Sequence, residues 1–149
     1  MADLRDLYQE VILDHARGPR NFGPLADANH RAEGFNPLCG DKVTLYLRLV
    51  DSVIEDARFE GNGCAISTAS ASLMTEALKG KTLDEVQALF DAVHALLTVA
   101  DRAEPSASLG KLQVLSGVRE FPVRVKCATL PWHTLQAALH DEPTPVSTE

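Results

Sequence analysis

Residues 41 to 59 carry the pattern that most limits how this chain can fold. From Asp41, apolar and polar residues alternate strictly, which predicts a strand with one apolar face. Asp51-Ser52 predicts a tight turn, after which a second extended segment runs to Phe59. Together the two segments predict an antiparallel hairpin with one face against a core. The second strand is expected to place Val53, Glu55, Ala57 and Phe59 on one face and Ile54, Asp56 and Arg58 on the other.

Helical spacing of apolar residues marks segments on both sides of this hairpin. Thr82-Leu83-Asp84-Glu85 has the form of a capping box, and Gly80 suits the residue that closes the preceding helix. Pro131 is expected in the first turn of the last helix, where its missing N–H costs nothing. The predicted helices cover about residues 2 to 16, 65 to 79, 83 to 97 and the stretch that follows Cys127, with extended chain over 118 to 125.

Length and composition indicate one ordinary domain over residues 1 to 149. The chain has 149 residues, 45% of them apolar, and contains no internal repeat or low-complexity tract. A short edge strand is predicted near residues 30 to 35, and a short helical turn over 109 to 115. The tail from 141 to 149 contains Pro143 and Pro145 and is expected to be frayed.

The charge balance limits the kinds of partner. A net charge of −7 argues against nucleic acid or an acidic membrane surface as a partner, because both bind broad basic faces. No apolar run approaches the roughly 20 residues that a membrane-spanning helix requires. The first residues are too acidic for a secretory signal. These features predict a soluble, cytoplasmic protein.

Three cysteines and one aspartate form the candidate metal site. Cys39 and Asp41 share one turn, Cys64 follows a glycine-rich turn, and Cys127 follows a basic segment. Free cysteines are often simply small buried side chains, but turn-forming and charged neighbours favour metal or sulfur chemistry here. Zinc and iron–sulfur iron both favour thiolates, and zinc also accepts a carboxylate.

The neighbours of these cysteines suit a thiolate site. Cys64 and Cys127 are each predicted at a helix N-terminus, where the partial positive charge favours a thiolate. Arg124 and Lys126 lie beside Cys127 in the sequence and could offset the negative charge of the ligands. The spacing is not that of a zinc finger, since no CxxC knuckle is present.

Three motifs resemble those of the U-type iron–sulfur cluster assembly scaffold family, the IscU/NifU N-terminal family. They are Asn36-Pro37-Leu38-Cys39-Gly40-Asp41, the stretch from Gly63 to Glu76, and Lys126-Cys127-Ala128-Thr129-Leu130-Pro131-Trp132. They run in family order over nearly the whole chain. The resemblance implies an α+β fold, with helices on one face of a small three-stranded antiparallel sheet and the metal site at one end. It also implies Cys39, Asp41, Cys64 and Cys127 as ligands.

Within this family the chain is most similar to the SufU branch. Lys126 stands where IscU-like members carry a histidine, and the segment from 98 to 121 lengthens the interval between the second and third cysteines. The SufU resemblance implies a tightly held zinc and a role as acceptor of persulfide sulfur from a cysteine desulfurase of the SufS type. It further implies Cys39 as the acceptor, Arg124 as a supporting charge, and downstream iron–sulfur assembly or acceptor proteins as recipients.

Other functions remain open at this point. The same four residues could assemble and hand on a [2Fe–2S] cluster or bind iron, with Asp41 as the weak ligand that makes the cluster labile. A structural zinc in a protein-interaction module is a second alternative, and a cysteine hydrolase with His30 or His133 as its base is a third. The chain could thus be a sulfurtransferase-like protein or a non-enzymatic scaffold. The remaining candidates are expected to be structural or solvated: His15, His94, His140 and Trp132.

Overall fold

A computed structural model describes residues 4–36, 40–98, 112, 114–115, 118, 122–140 and 146–147. In chain order the elements are α1 (Leu4–Arg17), β1 (His30–Asn36), β2 (Asp41–Val50), β3 (Val53–Asn62), α2 (Ala65–Leu78), α3 (Leu83–Thr98), α4 (Pro122–Leu139) and β4 (Val146–Ser147). No helix in these ranges is long and apolar enough to span a bilayer.

The sheet confirms the three antiparallel strands and adds a short fourth one. Its strand order is β3-β2-β1-β4, with β2 antiparallel to both β1 and β3. Asp51 and Ser52 form the predicted turn with positive φ angles of 52° and 64°. The strand β4 pairs parallel to β1, with Val146 opposite Gly34. At Val146–Ser147 the expectation of a frayed tail is therefore wrong, because these two residues extend the sheet.

A β-bulge changes which residues of β3 face the core. Arg48 pairs with Asp56, whereas Leu49 pairs with Ile54, so the register shifts by one residue at this point. Ile54 and Ala57 are consequently both fully buried, although strict alternation places them on opposite faces. The predicted face of Ile54 is wrong for this reason.

The inner face of the sheet packs against α2 and α4, which contact β1, β2 and β3. Close approach of α4 to β1 depends on Gly34, because a Cβ there would lie 2.1 Å from the Thr134 hydroxyl. The helices α1 and α3 pack on α2 and α4 respectively. The largest core side chains come from both layers: Leu45, Leu47 and Ile54 from the sheet, Met74 and Leu78 from α2, and Leu130 and Leu135 from α4.

Local signals correctly predicted the boundary between α2 and α3. Gly80 adopts φ 83° after the last residues of α2, as a left-handed closing residue does. The Thr82 backbone N–H donates to Glu85 Oε1 at 3.0 Å, and the Glu85 N–H donates to Thr82 Oγ1 at 3.3 Å. The Thr82 hydroxyl also donates to Glu85 Oε1, at 3.2 Å, and the two bonds that this carboxyl accepts from Thr82 hold the pKa of Glu85 below its usual value.

The last helix differs from the prediction. It begins at Pro122, so residues 122 to 125 are helical and the expectation of extended chain is wrong there. Proline is well suited to a first helical position because its φ is already helical. Pro131 lies in the helix interior, not in its first turn, and its side chain is buried. Burial of both flanks, Leu130 and Trp132, offsets the missing backbone hydrogen bond.

Candidate metal centre

Asp41, Cys64 and Cys127 converge at one end of the sheet. Asp41 begins β2, Cys64 caps α2, and Cys127 belongs to α4. A carboxylate oxygen of Asp41 and the sulfurs of both cysteines all lie within 4.8 Å of one another. Cys39, the remaining predicted ligand, lies outside the described residues, as do Pro37 and Leu38.

The Asp41 carboxylate is a buried hydrogen-bond acceptor. Its exposed fraction is 1%. Its Oδ1 accepts the Cys64 backbone N–H at 2.7 Å, and its Oδ2 lies 3.8 Å from the Cys64 sulfur. Within the described ranges no basic side chain forms an ion pair with it. A buried charge is costly without a counter-ion, and a metal ion would supply one.

Cys64 occupies the predicted position at the start of a helix. It is the N-cap of α2, and its sulfur accepts the Ser67 backbone N–H at 3.4 Å. Both this hydrogen bond and the positive end of the helix dipole place partial positive charge beside the sulfur. Gly63 must lack a side chain, because a Cβ would lie 2.8 Å from Asp41 Oδ1.

Cys127 is placed differently from the prediction. It is fully buried and is the sixth residue of α4, so it lies beyond the first turn where the helix dipole acts. The predicted N-terminal position is therefore wrong. The Asn36 side chain instead donates from Nδ2 to the Cys127 sulfur at 3.6 Å. The amide N–H therefore directs partial positive charge at the sulfur, which the prediction had assigned to the helix end.

Asn36 is the site residue whose role the sequence did not indicate. It is fully buried at the end of β1, directly opposite Asp41 in the sheet register. Its carbonyl accepts the Gly40 N–H at 2.9 Å, which joins the end of β1 to the residue before β2. The available signal was a polar residue at an inward position immediately before the cysteine turn.

The other candidate residues are the two basic residues of α4, Trp132 and the histidines. Lys126 is half-buried and Arg124 is exposed, both on the same helix as Cys127. Trp132 is a core residue, as expected, and its indole N–H donates to Ser70 Oγ at 3.2 Å. No histidine belongs to the cluster of metal-binding side chains found among the described residues. His133 contacts α3 through His94 and Phe90.

The donor set fits the predicted metals. Two sulfurs and one carboxylate converge from three separate elements. Soft thiolates suit zinc and iron–sulfur iron, whereas sites for magnesium or calcium are built from oxygen alone. The fold and this cluster define a class: α+β proteins with a candidate thiolate–carboxylate metal site at one end of an antiparallel sheet.

Comparison with known proteins identifies the family. The family described as the NifU-like N terminal domain matches residues 7–140, and the chain belongs to this family. It is 41% identical over 141 residues to the zinc-dependent sulfurtransferase SufU of Bacillus subtilis, covering 95% of both chains. It is 39% identical over 139 residues to the iron–sulfur cluster assembly scaffold protein IscU of Streptococcus pyogenes, covering 93% of this chain and 86% of the relative.

A solved structure supports the same fold. A crystal structure of a candidate iron–sulfur cluster assembly scaffold of the SUF system from Fervidobacterium islandicum superposes with a TM-score of 0.82 at 37% identity. The match covers 87% of this chain and 94% of that one. The three-stranded antiparallel arrangement with helices on its inner face is thus a property that the chain shares with this relative.

Proposed function

We propose that this chain is a zinc-bound sulfur acceptor in iron–sulfur cluster biogenesis. It would take persulfide sulfur from a cysteine desulfurase of the SufS type in the cytoplasm. The observation that supports this most is the convergence of Asp41, Cys64 and Cys127 within 4.8 Å. The similarity to a zinc-dependent sulfurtransferase supports sulfur transfer as the type of reaction.

The proposed ligands are Cys39, Asp41, Cys64 and Cys127. Zinc, when bound, supplies a Lewis acid that keeps coordinating thiols deprotonated near neutral pH. Three thiolates, one carboxylate and a divalent cation leave two net negative charges on the site. Arg124 and Lys126 on α4 are proposed to offset part of this charge.

Cys39 is the proposed sulfur acceptor. Its thiolate would attack the outer sulfur of the desulfurase cysteine persulfide. A new S–S bond forms on Cys39, the S–S bond of the donor breaks, and the desulfurase cysteine leaves as a thiolate. One thiolate is consumed and one is released, so the transfer needs neither an oxidant nor a reductant. The Cys39 persulfide then passes its sulfur to a downstream iron–sulfur assembly or acceptor protein.

A scaffold function is the second candidate. Here the same four residues assemble a [2Fe–2S] cluster as cargo and hand it on. It is favoured by the similarity to a protein identified as an assembly scaffold and by Asp41 itself, a hard ligand among soft ones. A purely structural zinc is less well supported, because a fourth cysteine would close such a site better than an aspartate.

The test is the turnover of the cysteine desulfurase from the same organism. We expect zinc-loaded protein to accelerate alanine formation strongly, because an acceptor removes the persulfide that stalls the enzyme. Metal-stripped protein and the Cys39→Ala variant should each give the basal rate. The His140→Gln variant, altered at an exposed residue at the end of α4, serves as a control and should match the unmodified protein.

Two outcomes would contradict parts of this proposal. One is full acceleration by Cys39→Ala, which would exclude Cys39 as the acceptor. The other is no acceleration by the zinc form together with a stable visible cluster spectrum after anaerobic addition of iron and sulfide. The second result would establish the scaffold in place of sulfur transfer.

A further inference from the structure

Two histidines face each other across the contact between α3 and α4. His94 on α3 and His133 on α4 have ring centres 6.0 Å apart, in an edge-to-face arrangement. Phe90, one turn before His94, stacks on His94 at 5.9 Å and meets the edge of His133 at 6.0 Å. The phenyl ring therefore packs against both imidazoles and limits their orientations.

Three polar side chains form hydrogen bonds elsewhere in the contact between α3 and α4. Gln136 on α4 donates to Gln87 on α3 at 3.4 Å, and Gln87 donates to Asp91 at 3.1 Å. Asp91 precedes His94 by three residues, so the two side chains are neighbours on the helix surface. The contact between α3 and α4 thus carries two imidazoles with a carboxylate one turn away.

The pKa of His133 lies below its ordinary value, chiefly because the ring is partly buried and also because His94 is near. Only a neutral imidazole has the free lone pair that binds a metal. The environment of His133 therefore favours the form that can act as a ligand.

The distance between the two ring centres is close to that of two imidazoles bound to one metal ion. A zinc–nitrogen bond measures about 2.0–2.1 Å, so two imidazoles on one metal have ring centres about 5–6 Å apart. His94 is exposed, so an ion between the two rings would be reached from solvent on that side. The cysteine cluster uses neither histidine.

We propose that His94 and His133 form a second metal site, which takes a borderline divalent ion such as zinc. Two imidazole nitrogens bind the ion, and water completes its coordination. Such a site is weaker than the cysteine cluster because it has fewer protein ligands and no thiolate. It is open to solvent on the His94 side, and its existence does not depend on the function proposed for the cysteine cluster.

The experiment uses the full chain already loaded with one zinc ion. Further zinc sulfate is added while binding heat and the ring C–H resonances of all histidines are recorded. We expect a second zinc per chain, with the resonances of His94 and His133 moving together along the same saturation curve. His94→Gln should weaken this second binding at least tenfold and leave the first unchanged. His140→Gln is the matched control, because it removes an exposed histidine from the end of α4.

The proposal fails if no second zinc binds. It also fails if the second binding survives both His94→Gln and His133→Gln, or if only the resonances of His30 or His140 move. The first binding event reports separately on the cysteine cluster. Loss of the first event in Cys64→Ala, with the second retained, would leave this inference intact while testing the ligand set of the other site.

Discussion

Asn36 joins two parts of the candidate metal centre at the scale of a single side chain. Its amide donates to the Cys127 sulfur, and its backbone pairs with Asp41 across the sheet. Partners that hydrogen-bond metal ligands typically contribute 10–100-fold to metal affinity. We expect Asn36→Ala to lower zinc affinity by about 10–100-fold, and Asn36→Asp to lower it further, because a carboxylate would repel the thiolate.

Competition with a chromophoric chelator measures this change in zinc affinity. Asn62→Ala is the control, because Asn62 is an exposed amide at the end of β3, near the same end of the sheet. Equal zinc affinity in Asn36→Ala and the unmodified chain would contradict a role of the amide. A loss in Asn36→Ala that exceeds the loss in Asn36→Asp would contradict the electrostatic explanation.

At the scale of elements, the buried Ser72 hydroxyl of α2 contacts both α1 and the residues that follow it. Ser72 Oγ lies 2.7 Å from His15 Nδ1 and accepts the Arg20 backbone N–H at 2.8 Å. His15 is structural, as predicted, since its side chain is 1% exposed. Ser72→Ala removes this hydroxyl from His15 Nδ1 and from the Arg20 backbone N–H. An unsatisfied buried group costs about 1–3 kcal/mol, so we expect the free energy of unfolding to fall by at least that amount.

Urea denaturation of the variant measures this loss. Ser67→Ala is the matched control on the same helix, because no hydrogen bond of the Ser67 hydroxyl is found in the described part of the chain. We expect the control to change stability by less than Ser72→Ala. Identical midpoints for the two variants would show that the hydroxyl of Ser72 does not hold α1.

At the scale of the whole molecule, the candidate metal centre brings β2, α2 and α4 together, and one bound ion would link them. A ligand that binds only the folded state stabilises it by about 2.7 kcal/mol at 100 times its dissociation constant. For a chain of this length that corresponds to about 5–10 °C in Tm. We expect zinc at that free concentration to raise Tm by this amount, and a chelator to reverse the rise.

Cys127→Ala tests whether this linkage uses the proposed site. The variant should melt at the same temperature with and without zinc, because its zinc affinity is expected to fall by orders of magnitude. His94→Gln is the control and should keep the zinc-dependent rise. A rise of equal size in Cys127→Ala would exclude the cysteine cluster as its source.

Features that depend on neighbouring residues in the chain were predictable from the sequence. The hairpin, its turn at Asp51-Ser52 and the capping box at Thr82 all follow from local backbone preferences and from periodic burial. The N-cap position of Cys64 followed from the glycines before it and the helical spacing after it. The family resemblance supplied the four proposed metal ligands, of which three converge in the structure.

Features that depend on distant contacts were decided by the tertiary structure. Packing against α2 and α4 selects the bulge that buries both Ile54 and Ala57, although alternation alone separates them. The helix α4 begins at Pro122 and contains Pro131, because buried contacts along its length outweigh the local preference of proline. Asn36 lies 91 residues from Cys127 in the sequence. Its role arises only when β1 and α4 meet, since a hydrogen bond between distant residues leaves no local pattern in a single sequence.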